Sequence, residues 1–247
     1  MFIVKQFCTT FPSKMIPGLI KAHGCLMLFG WNFFLNNGII LSRHYKQMWQ
    51  QHKLGGLALW FLLHQLFNSM AVVCTVLAVF IVVYHSRGYS ELDSMPFAVH
   101  PPCGFISGVL ILLNPLVALF RCEPTHKMRP AFNWVHFIFG TLAQTLSVST
   151  MAIGLIMQRQ ASESDQSGQL NVYLASVVFH CIVELFLELF GYEEIVRYRA
   201  IFQTVSDRIN VEDLDSKRAR FKKLTYYLYF AISLVFTVAL VVMLATA

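Results

Sequence analysis

Charge is scarce in this sequence. Asp, Glu, Lys and Arg make up 13% of the 247 residues, while 56% are hydrophobic and the mean hydropathy is +0.57. Soluble domains carry about twice that share of charge, so a water-soluble fold is excluded and the bilayer is the expected solvent. Cys8, Cys25, Cys74, Cys103, Cys122 and Cys181 form no CxxC pair and no regular spacing. They read as small core residues rather than as a ligand set. The N-terminus has no uninterrupted apolar stretch followed by a small-residue cleavage site, so a cleaved signal peptide is not expected. The formal charge of +6 lies in short segments between apolar runs, which marks topology rather than a nucleic-acid surface.

Long apolar runs are what the sequence has in abundance. A hydrocarbon core of roughly 30 Å needs about 20 apolar residues per helix, and runs of that kind lie near 18–41, 56–84, 99–120, 131–156, 170–190 and 224–247. The expected fold is an all-α polytopic bundle of about six transmembrane helices. Its organisation is a short segment 1–17, a membrane core 18–190, a basic polar connection 191–223 and a last helix 224–247. Pro17, Pro101, Pro102 and Pro130 stand where helices begin and a missing N–H costs little, and Pro115 is expected to kink the third helix. Of the 19 Lys and Arg, 14 fall on one side when loops are sorted by parity. That side is expected to be cytosolic, with both termini outside.

Nine histidines remain to be placed. His44, His52, His85 and His126 fall in loops or at helix edges and are expected to be solvated. His23, His64, His100, His136 and His180 lie in or at the ends of apolar helices, where an ionisable group is costly and marks a site. His23 and His100 belong to helices that start outside and form one level. His64 and His136 belong to helices that start inside and form a second level. Each level offers two imidazoles, one for each face of a flat macrocycle, so two pairs suit two haems with both axial positions filled. Gly24 and Gly140, close to ligands in sequence, are expected to let the macrocycle approach the backbone.

The same residues resemble the cytochrome b561 family, in particular the membrane core that DOMON-linked ferric-chelate reductases carry. The resemblance runs through Lys21-Ala22-His23-Gly24, Leu26-Met27, Trp31, Gly38, Arg43, Trp60 to His64, His100 with Gly104, Arg129-Pro130, Phe132-Asn133, His136, Gly140 and Gly154-Leu155. It implies a four-helix core with two haem b groups, ligated by His23 with His100 and by His64 with His136. It also implies electron transfer from cytosolic ascorbate to ferric iron or monodehydroascorbate on the far side, with Arg43, Lys46 and Arg129 as candidates for meeting the donor. Lys14 and Lys21 are candidates for attracting an anionic ferric chelate, a lipid headgroup being the plainer use of each. About 17 residues precede the first run, too few for a DOMON domain, so a stand-alone core or a fragment is expected.

His180 is followed by Glu184 and Glu188 at helical spacing. A proton path is one reading, and a His180–Glu hydrogen bond inside the bundle is the plainer one. Two other functions stay open beside electron transfer: a haem-free membrane scaffold or accessory subunit, and a proton-coupled transporter that uses the same His and Glu. Membrane lipid is an expected partner and a homodimer is possible. The plasma membrane and endosomal or secretory membranes fit equally.

Overall fold

The computed structural model describes residues 18–49, 52–87, 95, 97–123, 125–161, 167–203 and 208–246, with side chains throughout except at 161, 167, 193–203 and 208–216. The segment 1–17, with Cys8, Lys5 and Lys14, lies outside the described residues. Six stretches are long and apolar enough to cross a bilayer: Gly18–His44, Leu59–Ser86, Phe97–Leu119, Arg129–Gln160, Gly168–Tyr192 and Lys217–Thr246. They are the six expected runs, the largest shift being the last, which starts at Lys217. The first is the most enclosed, 61% of its apolar window being buried against 17–28% in the others. In those others Phe80, Phe105, Trp134, Ile182 and Val235 are exposed, as side chains solvated by lipid tails would be.

The first span is not one regular helix. It runs as α1 (Gly18–Met27), a π-helical segment (Leu28–Leu35) and α2 (Asn36–His44). A π turn displaces the hydrogen-bond ladder by one residue and leaves acceptors to be satisfied where the α register returns. Asn36 Nδ2 donates to Asn32 O at 3.1 Å and Asn37 Nδ2 to Phe33 O at 2.8 Å. After it comes a small unexpected hairpin, β1 (Lys53–Leu54) against β2 (Leu57–Ala58), with Lys53 opposite Ala58 and Leu54 opposite Leu57. Its two-residue turn is Gly55-Gly56, with φ of +58° and +80°, the pair that a type I′ turn demands.

The remaining elements are α3 (Leu59–Ser86), a 3-10 turn (Phe97–Val99), α4 (His100–Leu119), α5 (Arg129–Ala161), α6 (Ser167–Gln203) and α7 (Arg208–Thr246). Pro101 and Pro102 occupy the first turn of α4, and the helix continues past Pro115 to Leu119. The basic connection expected at 191–223 is helical through Gln203 and again from Arg208.

The chain divides into two compact units. The first is Met1–Leu28, Cys74–Leu174 and Leu240–Ala247; the second is Phe29–Val73 and Ala175–Ala239. In the first, α4 packs along α5, and Tyr173 Oη donates to Val148 O at 3.2 Å. Gly24 and Gly140 each lie close to a neighbouring helix. A Cβ on Gly24 would stand 2.7 Å from Leu244 Cδ2, and one on Gly140 3.2 Å from Asn114 Nδ2.

In the second unit an apolar core gathers Ile40, Leu41, Tyr45, Met48, Leu187, Tyr226 and Tyr229. Polar contacts between helices reinforce it: Asn32 Nδ2 to Thr237 Oγ1 at 2.9 Å, Ser176 Oγ to Asn32 Oδ1 at 3.0 Å and Asn37 Nδ2 to Ser233 Oγ at 3.2 Å. Each such bond contributes about 0.6 kcal/mol in a membrane protein. Tyr45 is fully buried. Burial, then neighbouring Tyr226, pushes its phenol well above its ordinary range, so it stays neutral and donates to Lys222 O at 2.9 Å. Tyr45→Phe keeps the packing and removes the bond from the Tyr45 hydroxyl to the Lys222 carbonyl. The expected cost is about 1 kcal/mol, read as a melting temperature lowered by about 2–4 °C in detergent; an unchanged melting temperature would contradict the role given to the hydroxyl.

Candidate functional site

His23, in the second turn of α1, and His100, the first residue of α4, are both in the first unit. Their ring centres lie 6.5 Å apart with the planes at 70°. The Nδ1 atoms of both face backbone carbonyls, His23 to Ala78 O at 2.9 Å and His100 to Thr150 O at 2.9 Å. A carbonyl only accepts, so Nδ1 carries the proton in both rings and the lone pair is left on Nε2. An imidazole–metal bond of about 2 Å on each side, with roughly 1 Å from ring nitrogen to ring centre, places two axial imidazoles about 6 Å apart. The observed 6.5 Å fits that spacing. The carbonyl partners are the outer hydrogen bonds that fix tautomer and orientation in metal-ligating histidines.

The carbonyl that holds His100 lies on α5, and the same helix makes room for the ring. A Cβ on Gly154 would stand 3.0 Å from His100 Cε1. His100 is thus seated by Thr150 and Gly154, although Pro101 and Pro102 leave it at a helix end.

His64, on α3 in the second unit, repeats the pattern: its Nδ1 faces Gly38 O at 2.8 Å. Asn68, one turn on, donates Nδ2 to His64 O at 2.6 Å and lies 3.0 Å from His64 Nδ1. His136, on α5 in the first unit, is held against the Asn114 main chain and stacks on Phe132, with ring centres 5.9 Å apart at 13°. His64 and His136 belong to different units, and their pairing is a reading of the sequence. Among the described residues no three or more His, Cys, Asp or Glu side chains are gathered for a bare metal ion. A porphyrin supplies its own equatorial nitrogens and asks only axial ligands of the protein, which the four histidines suit.

The candidate anion-binding residues are already engaged. Arg43 Nε donates to Glu188 Oε1 at 2.6 Å, and its Nη1 is 3.6 Å from Glu184 Oε2. The Lys46 ammonium stands 6.0 Å from the Trp60 ring centre. Arg129 Nη1 donates to Cys122 O at 2.5 Å, and its guanidinium lies 5.4 Å from the Phe132 ring centre. Lys21 Nζ donates to Ala245 O at 3.2 Å.

Two expectations are corrected. His44 is not solvated: its side chain is 6% exposed and its Nε2 lies 2.9 Å from Glu184 Oε2. His180 pairs its Nδ1 with Tyr229 Oη at 2.9 Å rather than with Glu184, whose Oε2 receives His44 and Arg43 from α2 and whose Oε1 has no hydrogen-bond partner.

Residues 22–161, more than half of the chain, match the family profile described as eukaryotic cytochrome b561. The chain belongs to the cytochrome b561 family. All four candidate ligands fall inside the matched range. This cytochrome b561 core is 28% identical over 239 residues to a putative ferric-chelate reductase 1 of Xenopus laevis, covering 95% of this chain and 40% of that one. It is 30% identical over 174 residues to ferric-chelate reductase 1 of Homo sapiens, covering 70% and 28%. Over 138 residues it is 28% identical to a cytochrome b561 and DOMON domain-containing protein of Arabidopsis thaliana, covering 56% and 34%. The chain thus spans 40% or less of the length of these relatives. No solved structure matches it.

Proposed function

We propose that this cytochrome b561 core carries electrons across a membrane through two haem b groups, one between His23 and His100 and one between His64 and His136. Cytosolic ascorbate is the donor, and ferric iron in a chelate, or monodehydroascorbate, is the acceptor on the other face. The ferric-chelate reductase relatives favour iron. The observation that carries the reading is the outer pair: two imidazoles at axial spacing, each fixed by an Nδ1–H to a backbone carbonyl.

Held by His23 with His100 and by His64 with His136, the haems would supply one-electron chemistry. The residues of this chain set the state of those ligands. Ala78, Thr150 and Gly38 carbonyls hold the protons of His23, His100 and His64 on Nδ1, so no proton competes for Nε2. The four rings are half-buried among apolar helices. The charge asymmetry directs the ends bearing Arg43, Lys46 and Arg129 to the cytosol, where their net positive field attracts an anionic donor. Plasma, endosomal and secretory membranes all suit this orientation.

The test is the reduced-minus-oxidised absorption spectrum of purified protein, with haem counted per chain and ascorbate set against dithionite as reductant. Two haems per chain, a large fraction reducible by ascorbate, is the expected result. Folded protein without haem, after expression with adequate haem supply, would overturn the reading and favour a scaffold or a proton-coupled transporter.

A further inference from the structure

The second unit holds a cluster of titratable side chains that electron transfer between the haems does not use. Glu184 of α6 receives His44 Nε2 at 2.9 Å and Arg43 Nη1 at 3.6 Å on Oε2, while its Oε1 is buried with no hydrogen-bond partner. Arg43 also binds Glu188, its Nη2 lying 2.5 Å from Oε1. One turn inward from Glu184, His180 pairs with Tyr229 Oη at 2.9 Å. Glu184 lies eight residues before the end of its span at Tyr192 and His180 twelve, about 12 Å and about 18 Å along the helix. The groups facing one another are Arg43 and His44 from α2, His180, Glu184 and Glu188 from α6, and Tyr226 and Tyr229 from α7.

Charge counting makes this a place for a proton. With both imidazoles neutral, one guanidinium faces two carboxylates and the cluster is left with a charge of −1. Glu188 is half exposed and meets solvent, whereas Glu184, 15% exposed, bears a charge that is costly to bury unless compensated. One added proton closes the count, and the buried Oε1 of Glu184 lacks the donor that such a proton provides. The cluster is also placed to exchange it. Arg43 and Glu188 are 47% and 50% exposed in their side chains, whereas His44 and Glu184 are 6% and 15% exposed. On the inner side, His180 and Tyr229 help wall a cavity with Asn32, Asn36, Ser176 and Ser233, which has room for about one water molecule.

We propose that Glu184, His44 and His180 form a proton-binding site, sharing one exchangeable proton taken from the aqueous phase past Arg43 and Glu188, with Tyr229 linking it to the cavity. The ligand is a hydron: binding adds one positive charge and breaks no other bond. In the electron-transfer reading, on which this use rests, the bound proton offsets the negative charge of an electron entering the low-dielectric interior. The site itself stands on the geometry of α2, α6 and α7.

The experiment is pH-jump infrared difference spectroscopy of the protein in nanodiscs, for wild type, Glu184→Gln, His180→Gln and His44→Gln. The carboxyl band missing from Glu184→Gln belongs to Glu184. Sharing of one proton predicts that the midpoint of this band moves by at least about one pH unit in each histidine variant, the mark of coupled titration. A midpoint unmoved in both, or no band lost in Glu184→Gln, would overturn the proposal. The glutamine variants preserve shape, and a helical far-ultraviolet spectrum with a monodisperse elution establishes that each is folded. The visible spectrum of the same samples reports haem separately. Colourless protein with shifted midpoints sinks the electron-transfer reading alone, and coloured protein with unmoved midpoints sinks the proton site alone.

Discussion

His100→Ala is expected to remove one haem per chain and leave the other, halving the absorbance of the reduced protein and abolishing electron delivery to the outer acceptor while ascorbate still reduces the haem that remains. The reasoning starts from His23 and His100, whose ring centres are 6.5 Å apart in one unit. The two histidines would hold one haem between them, and with either removed a single protein ligand would be left to retain it. His23→Ala should match it in stoichiometry, since the two rings serve one iron. His23→Ala with His100→Ala should lose no more haem than either single variant, because effects within one ligand pair are not additive. Loss of both haems in the double variant with only partial loss in each single variant would show that the two histidines do not share a group, and the outer assignment would fall.

How much of this was legible beforehand follows from the kind of information each feature needs. The six spans follow from hydropathy alone, because the bilayer imposes length and apolarity on every crossing helix. His23, His64, His100 and His136 stand out because an ionisable ring in an apolar run is conspicuous. Their outer partners do not. Thr150 reaches His100 only because α5 packs along α4, and nothing in the sequence near position 100 points to it. Gly154 was visible as part of the family resemblance, but its task of leaving room for the His100 ring is set by the fold. Asn68 had a weak cue, its spacing of four residues from His64 on one helix face. His44 was misplaced because it sits among basic and polar residues at a helix edge, and its burial is created by Glu184 from a helix 140 residues away. The π-helical segment was unreadable for a related reason. It depends on Asn36 and Asn37 satisfying displaced carbonyls, which a count of apolar residues does not register.

Gly38→Ala is the second large effect expected, and it tests the inner ligand without touching it. Gly38 does two things at once: its carbonyl accepts from His64 Nδ1 at 2.8 Å, and its missing side chain admits Asn68. A Cβ there would stand 2.5 Å from Asn68 Nδ2 and 3.0 Å from its Cγ, closer than atoms tolerate. The Asn68 amide is not free to swing aside at no cost, because it holds His64 O at 2.6 Å. Either that bond breaks or α2 moves off α3 and takes the Gly38 carbonyl away from the His64 ring. Loss of an outer partner of a metal-ligating histidine typically weakens metal binding by about 10- to 100-fold, so Gly38→Ala is expected to retain the outer haem and lose most of the inner one. The double variant Gly38→Ala with Asn68→Gly removes the clash and should recover inner haem, whereas Asn68→Gly alone should cost little because the Gly38 carbonyl still holds the ring. Haem per chain from the reduced spectrum of the three variants decides it. If the double variant binds no more haem than Gly38→Ala, the clash is not what displaces His64, and Gly38 acts on the site by another route than its contact with Asn68.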